Sequence, residues 1–204
     1  DGISMVQTAE GALEEAGNIA QRMRELGVQA GNDTLSAEDR TKVKEELKQL
    51  QDEMKNISEE TKFNGKELLN KVGTFTIQAG ANSETRTVKT ADLSSIAKNI
   101  GLTSSTNISS STDAQNFVKK VDTALSSIND ARSALGAMQN RLEYTANNLT
   151  TSTENLTAAE SRIRDVDVAK EMVTLSKLNI LNQASQAMVS QAKQQPESVS
   201  QLLR

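Results

Sequence analysis

The chain has no cysteine, no histidine and no tryptophan, and only one proline and one tyrosine among its 204 residues. Each absence closes a route. Without cysteine there are no disulfides, thiolate nucleophiles or thiolate metal sites, and without histidine the commonest general base and zinc ligand are gone too. Aromatic residues make up 2% of the sequence, so the apolar content comes from Ala, Leu, Val, Ile and Met, which favour close helix contacts over a bulky globular core. The net charge of −4 arises from 23 basic and 27 acidic residues spread along the chain, and no basic surface for nucleic acid is expected. No segment approaches the roughly 20 apolar residues that cross a bilayer, so a membrane is not an expected partner. The chain opens at Asp1 with no charged-then-apolar leader, and it is expected to lack its natural start.

What the sequence does have is periodicity. Over residues 3–30, Val6, Ala9, Leu13, Ala16, Ala20, Met23, Gly27 and Ala30 follow a three-four spacing that predicts one helix face. Met5, Ala12, Ile19 and Leu26 repeat every seventh position beside it and widen the stripe. Gly31-Asn32-Asp33 ends that helix, and Ser36 with Asp39 predicts the N-cap and first-turn acid of the next, over 37–58. There Val43, Leu47, Leu50, Met54 and Ile57 form the apolar face, opposite a charged one. After the Phe63-Asn64-Gly65 turn signal, alternation at Phe75, Ile77 and Ala79 and then Thr85, Thr87 and Val88 predicts a β-hairpin within 72–90. The Ser/Thr-rich stretch Thr103 to Thr112 reads as a loop.

The strongest pattern runs from Phe117 through Val121, Ala124, Ile128, Leu135, Leu142, Leu149, Leu156 and Ile163 to Val166, predicting a helix over 113–164. At 1.5 Å per residue, that pattern spans roughly 75 Å, longer than a compact globule of this chain length, so the expected fold is mainly α, an elongated rod of long antiparallel helices packed like a coiled coil, with a small β-hairpin region. At Asp165-Val166-Asp167 the rhythm slips, and the expected domain division falls there: a rod domain over 1–169 and a C-terminal helix over 170–204. In the latter, Met172, Leu175, Leu178, Leu181 and Met188 are accompanied by few charges, so both faces can be covered by partners.

Little chemistry is available. The carboxylate pairs Asp165 with Asp167 and Glu45 with Glu46 lie on regular or helix-ending surface, without the burial that splits pKa values for acid–base work. Neither catalytic nor metal-binding residues are expected, and the chain is not read as an enzyme.

Several ordered motifs resemble one family across essentially the whole chain. Asp1-Gly2-Ile3-Ser4, Gln7 to Leu13 and Gln21-Arg22-Met23-Arg24-Glu25-Leu26 are similar to the first long rod helix of bacterial flagellins. Phe63-Asn64-Gly65 and Gln78 to Asn82 resemble the hairpin region, Gly136 to Leu142 and Glu154 to Asp165 the returning rod helix, and Gln194-Gln195-Pro196 through Leu202-Leu203-Arg204 the C-terminus. The resemblance implies a fragment without the family's N-terminal segment and outer variable domains.

It also implies a structural subunit of the extracellular flagellar filament, self-assembling through rod and terminal helices for motility, secreted unfolded and requiring no cofactor. Implied partners are other flagellin subunits, an export chaperone and a host Toll-like receptor that senses flagellin. The residues implied for self-assembly and chaperone binding are Met172, Leu175, Leu178, Leu181, Met188, Leu202 and Leu203. Those implied for receptor contact are Arg22, Leu26 and Glu46. Of these, Arg22 and Leu26 are four apart and share a helix face. The rival readings are a hook-filament junction protein and a chemoreceptor-like helical signalling domain; the strand hairpin argues against the second.

Overall fold

The computed structural model describes residues 1–101 and 108–203. The core of the Ser/Thr-rich stretch, the side chain of Val166 at the end of the long apolar run, and the terminal Arg204 lie outside the described residues. In chain order the elements are α1 (Gly2–Ala30), α2 (Ala37–Glu60), β1 (Lys62–Phe63), β2 (Lys66–Glu67), β3 (Thr74–Gln78), β4 (Thr85–Lys89), α3 (Leu93–Ile100) and α4 (Ser111–Leu202). The chain divides into two units, Asp1–Leu149 and Thr150–Arg204.

In the first unit, α1 turns its three-four stripe inward. Val6, Ala9, Leu13, Ala16, Ala20 and Met23 are fully buried, and Leu26 and Ala30 continue the face. Small residues on that face let neighbours approach closely. At Gly17 the nearest neighbour is Ile128, and at Gly27 it is Val118 with Phe117. Arg24 pairs with Asp122 and Glu14 with Arg132. Residues later in α1 thus meet residues earlier in α4, so the two helices are antiparallel. α2 returns along α1 in the same sense, with Arg22 reaching Glu46 and Arg40 reaching the carbonyl of Ala30.

The helix ends follow from local chemistry. Ser36 caps α2, its Oγ accepting from the Asp39 N–H at 3.1 Å while its hydroxyl donates to Asp39 Oδ2 at 2.7 Å. Ser110 and Asp113 repeat this arrangement at the start of α4. Gly31, after α1, keeps right-handed backbone angles. The end of α1 is satisfied instead by Arg40, which donates to the carbonyls of Ala30 and Asn32, and by Ser111, which donates to Gly31.

Asn64 and Gly65, with φ of 51° and 75°, make the two-residue turn of the β1–β2 hairpin. β3 pairs antiparallel with β4, Phe75 opposite Val88 and Ile77 opposite Arg86, and this hairpin lays Phe75, Ile77 and Val88 against the helical core. α3 was not anticipated, although its signals are present. Asp92 caps it, Leu93, Ile96, Ala97 and Ile100 share one face, and Gly101 ends it in the left-handed region.

Two expectations need correction. α4 does not stop at residue 164 but continues through Asp165 and Asp167 to Leu202, and these carboxylates are helix surface, not a break. No Gly or Pro stands there. The slip in rhythm marks a change in which face is apolar, not in backbone conformation. The loop also ends earlier than expected, since Ser111 and Thr112 already belong to α4. Continuing the α1–α4 register places the start of α1 near Leu142, the last buried residue of the long stripe among the described residues; Leu149, Leu156 and Ile163 keep the seven-residue spacing but are exposed.

Candidate functional site

Two surfaces combine exposure with a specific chemical character. The first is the whole of the second unit. Its described residues are those of α4 and Leu203 just beyond it, and every described side chain from residue 150 onward is exposed. On one face Val168, Glu171, Met172, Thr174, Leu175 and Leu178 line an open groove of about 280 Å³. Leu181 and Met188 extend the apolar row, and Leu202 and Leu203, just before Arg204, hold their side chains in solvent. The structure therefore brings Met172, Leu175, Leu178, Leu181 and Met188 onto one helix, with Leu203 just past its end.

Sequence reasoning did not single out Val173, Ile180, Val189 and Val199, which are also exposed and place apolar surface on other sides of the helix. The signal that could have found them is the scarcity of charge. Beyond Glu171 the ionisable side chains are Lys177, Lys193, Glu197 and Arg204. A helix apolar on several faces is one that other elements enclose. Fully burying a Leu, Met, Val or Ile side chain contributes roughly 1.5–3 kcal/mol, so this unit holds much of its interaction energy in reserve. Pro196 lies within α4, where its missing N–H removes one bond from the helical ladder.

The second surface bridges α1 and α2. Arg22 Nη2 donates to Glu46 Oε1 at 2.9 Å and its Nε to the same oxygen at 3.2 Å, while Nη1 reaches Glu25 Oε2 at 3.3 Å. These hydrogen bonds, first to Glu46 and then to Glu25, raise the Arg22 guanidinium above its ordinary value. Arg22 and Glu46 are each about half exposed, presenting a fixed donor fork beside a carboxylate.

Leu26 does not join them at the surface. It is 2% exposed and sits in the core, packed among apolar side chains. The physical reason lies in the sequence. Leu26 belongs to the flanking seven-residue stripe with Met5, Ala12 and Ile19, and a spacing of four leaves enough angular offset for Arg22 to emerge while Leu26 turns inward.

Among the described residues no cluster of acidic side chains could hold a metal ion, and no helix is long and apolar enough to cross a membrane. What this arrangement can do chemically is associate.

Comparison with known proteins gives consistent matches. Residues 1–74 match the family model for the bacterial flagellin N-terminal helical region, and residues 118–203 match that for the C-terminal helical region. The chain is 50% identical over 209 residues to a flagellin of Halalkalibacterium halodurans, covering 100% of this chain and 75% of the relative. It is 47% identical over 239 residues to a flagellin of Bacillus subtilis, covering 100% and 78% respectively. The crystal structure of Bacillus cereus flagellin superposes with a TM-score of 0.63 at 35% identity, covering 78% of this chain and 92% of that one.

Proposed function

The chain belongs to the bacterial flagellin family and is a structural subunit of the extracellular flagellar filament, not an enzyme; from that premise we propose that the apolar faces of its second unit are the surfaces copies bury against one another. The observation carrying this reading is the exposure of Met172, Leu175, Leu178, Leu181, Met188, Leu202 and Leu203 on a helical segment with few charges. Such a surface is stable in water only when a partner covers it. The matches to flagellins do not favour a hook-filament junction protein or a chemoreceptor-like signalling domain.

Before assembly the same residues would be covered by a flagellar export chaperone. This is supported by the chemistry of the segment from Lys170 onward, whose apolar rows suit a helix-in-groove partner. The Arg22–Glu46 surface would be read by a host Toll-like receptor that senses flagellin. A planar donor fork held beside an acceptor, both half exposed, is a mixture common in interface anchors. Leu26 supports that surface from beneath by holding α1 in place.

The assembly reading is tested by Leu175→Asp combined with Leu178→Asp. Elongation from filament seeds should be lost while the first unit melts as before, and unaltered elongation contradicts it. The receptor reading is tested by titrating a receptor ectodomain with the parent and with Arg22→Ala and Glu46→Ala. Equal affinity across the set, or no binding by the parent, removes it.

A further inference from the structure

The six methionines fall into distinct environments. Met5, Met23 and Met54 are buried in the first unit and Met138 is partly buried there. Met172 and Met188 are 64% and 74% exposed on the second unit. Met172 lines the open groove with Val168, Leu175 and Leu178, so its thioether is open to a small solute approaching from water.

We propose that Met172 and Met188 are oxidative modification sites that control whether an unassembled subunit can join a filament. This inference rests on the assembly reading given above. The co-reactant is a two-electron peroxide oxidant such as hydrogen peroxide. The thioether sulfur attacks one peroxide oxygen, the O–O bond breaks, an S–O bond forms, and the second oxygen leaves as water with the remaining protons. Sulfur is oxidised by two electrons and the peroxide is reduced by two.

The product replaces a flexible apolar side chain with a polar, chiral sulfoxide. Burying that group against the apolar surface of another copy strands a strong acceptor without a donor. The groove around Met172 offers the hydroxyl of Thr174, but Thr174 Oγ1 already donates to the Lys170 carbonyl at 3.0 Å. Around Met188 the helix places Ala184, Ala187, Val189 and Ala192, with Ser185 and Gln191 as the polar neighbours three positions to either side. Oxidation therefore weakens association while leaving the first unit, whose methionines are shielded, folded. Once the second unit is covered by a chaperone or by other copies the same sulfurs are shielded, so sensitivity is confined to the bare subunit between those two states. Methionine sulfoxide reductases reverse the change, which makes it a switch rather than damage alone.

The experiment treats full-length monomer with hydrogen peroxide, maps the sulfoxides by peptide mass, and measures elongation from untreated seeds. Met172 and Met188 should gain one oxygen each before Met5, Met23 and Met54 do. Elongation should fall by about tenfold or more at that stage, the size expected from burying an unpaired polar group. Treatment with the two sulfoxide reductases should restore it. In the Met172→Leu and Met188→Leu double variant, the ratio of elongation after peroxide to elongation before should stay near one, whatever the starting rate. Equal oxidation of all six methionines overturns the inference, as does undiminished elongation by chains carrying both sulfoxides. Failure of the untreated protein to elongate overturns the assembly reading and this inference with it, whereas normal untreated elongation with no peroxide effect overturns this inference alone.

Discussion

Arg24 Nε donates to Asp122 Oδ1 at 2.7 Å, joining α1 to α4 across 98 positions of sequence. Both side chains are about half exposed, so the pair itself contributes about 1 kcal/mol or less. Its value is as a marker of register. The same alignment brings Gly27 against Val118 and Phe117, where an added Cβ would stand 2.8 Å and 2.9 Å from their carbons.

Opposite effects are therefore expected for two helical glycines. Helix propensity alone favours alanine by roughly 1 kcal/mol at either position. At Gly136 nothing lies within 4 Å of the new methyl, and Gly136→Ala should stabilise by about 0.4–1 kcal/mol. At Gly27 the steric conflict with a buried ring and a branched side chain wins, and Gly27→Ala should destabilise by about 1–3 kcal/mol. Chemical denaturation of the two variants checks this; stabilisation by both would show that the α1–α4 register is different.

Leu135 is buried in the core of the first unit at 1% exposure. Leu135→Asp places a carboxylate there without a partner, and the loss should be on the order of 3 kcal/mol or more. Thermal melting followed by circular dichroism reads the effect, and an unchanged midpoint would place Leu135 in solvent.

The N-cap of α2 gives a prediction with a pH signature. Hydrogen bonds from Ser36 hold the Asp39 carboxyl below its ordinary value. A depressed carboxyl stabilises the fold above the unfolded pKa, and that contribution fades as pH falls through the ordinary Asp value of about 3.9 and below it. Ser36→Ala should cost about 1 kcal/mol at neutral pH through the lost cap. The gap between parent and variant should narrow as pH falls below the ordinary Asp value and the carboxyl becomes protonated in both. Denaturation midpoints across pH check it, and a gap that widens on acidification would contradict the assigned cap.

Much of this architecture is legible in the sequence because small and branched apolar residues repeat with helical spacing. The α1 stripe from Val6 to Ala30 is the buried one, and Asn64-Gly65 forms the turn its residue types require. The continuation of α4 was less legible. Asp165 and Asp167 interrupt the stripe, and a change of apolar face looks the same in a linear pattern as a change of direction. α3 was missed because its single short apolar face, Leu93 to Ile100, sits directly after a strand. For the functional surfaces, charge scarcity beyond Glu171 was readable from composition. The burial of Leu26 depends on α1 turning both of its adjacent stripes inward, and only tertiary packing decides that.

The second unit should be weakly protected when the protein is alone. Its described side chains are all exposed, and a helical segment without a buried face gains little beyond propensity. Amide exchange in dilute monomer should be fast from residue 150 onward and slow in the buried stripes of α1 and the early part of α4. Strong protection throughout the second unit would contradict this.

The most direct test of the central claim is electron microscopy of full-length protein mixed with short filament seeds, combined with amide exchange on the products. Filaments should grow from the seed ends, and the segment containing Met172, Leu175, Leu178 and Leu181 should change from fast to slow exchange as they do. Protein that remains monomeric at high concentration in the presence of seeds, or filaments in which that segment still exchanges freely, would contradict the account.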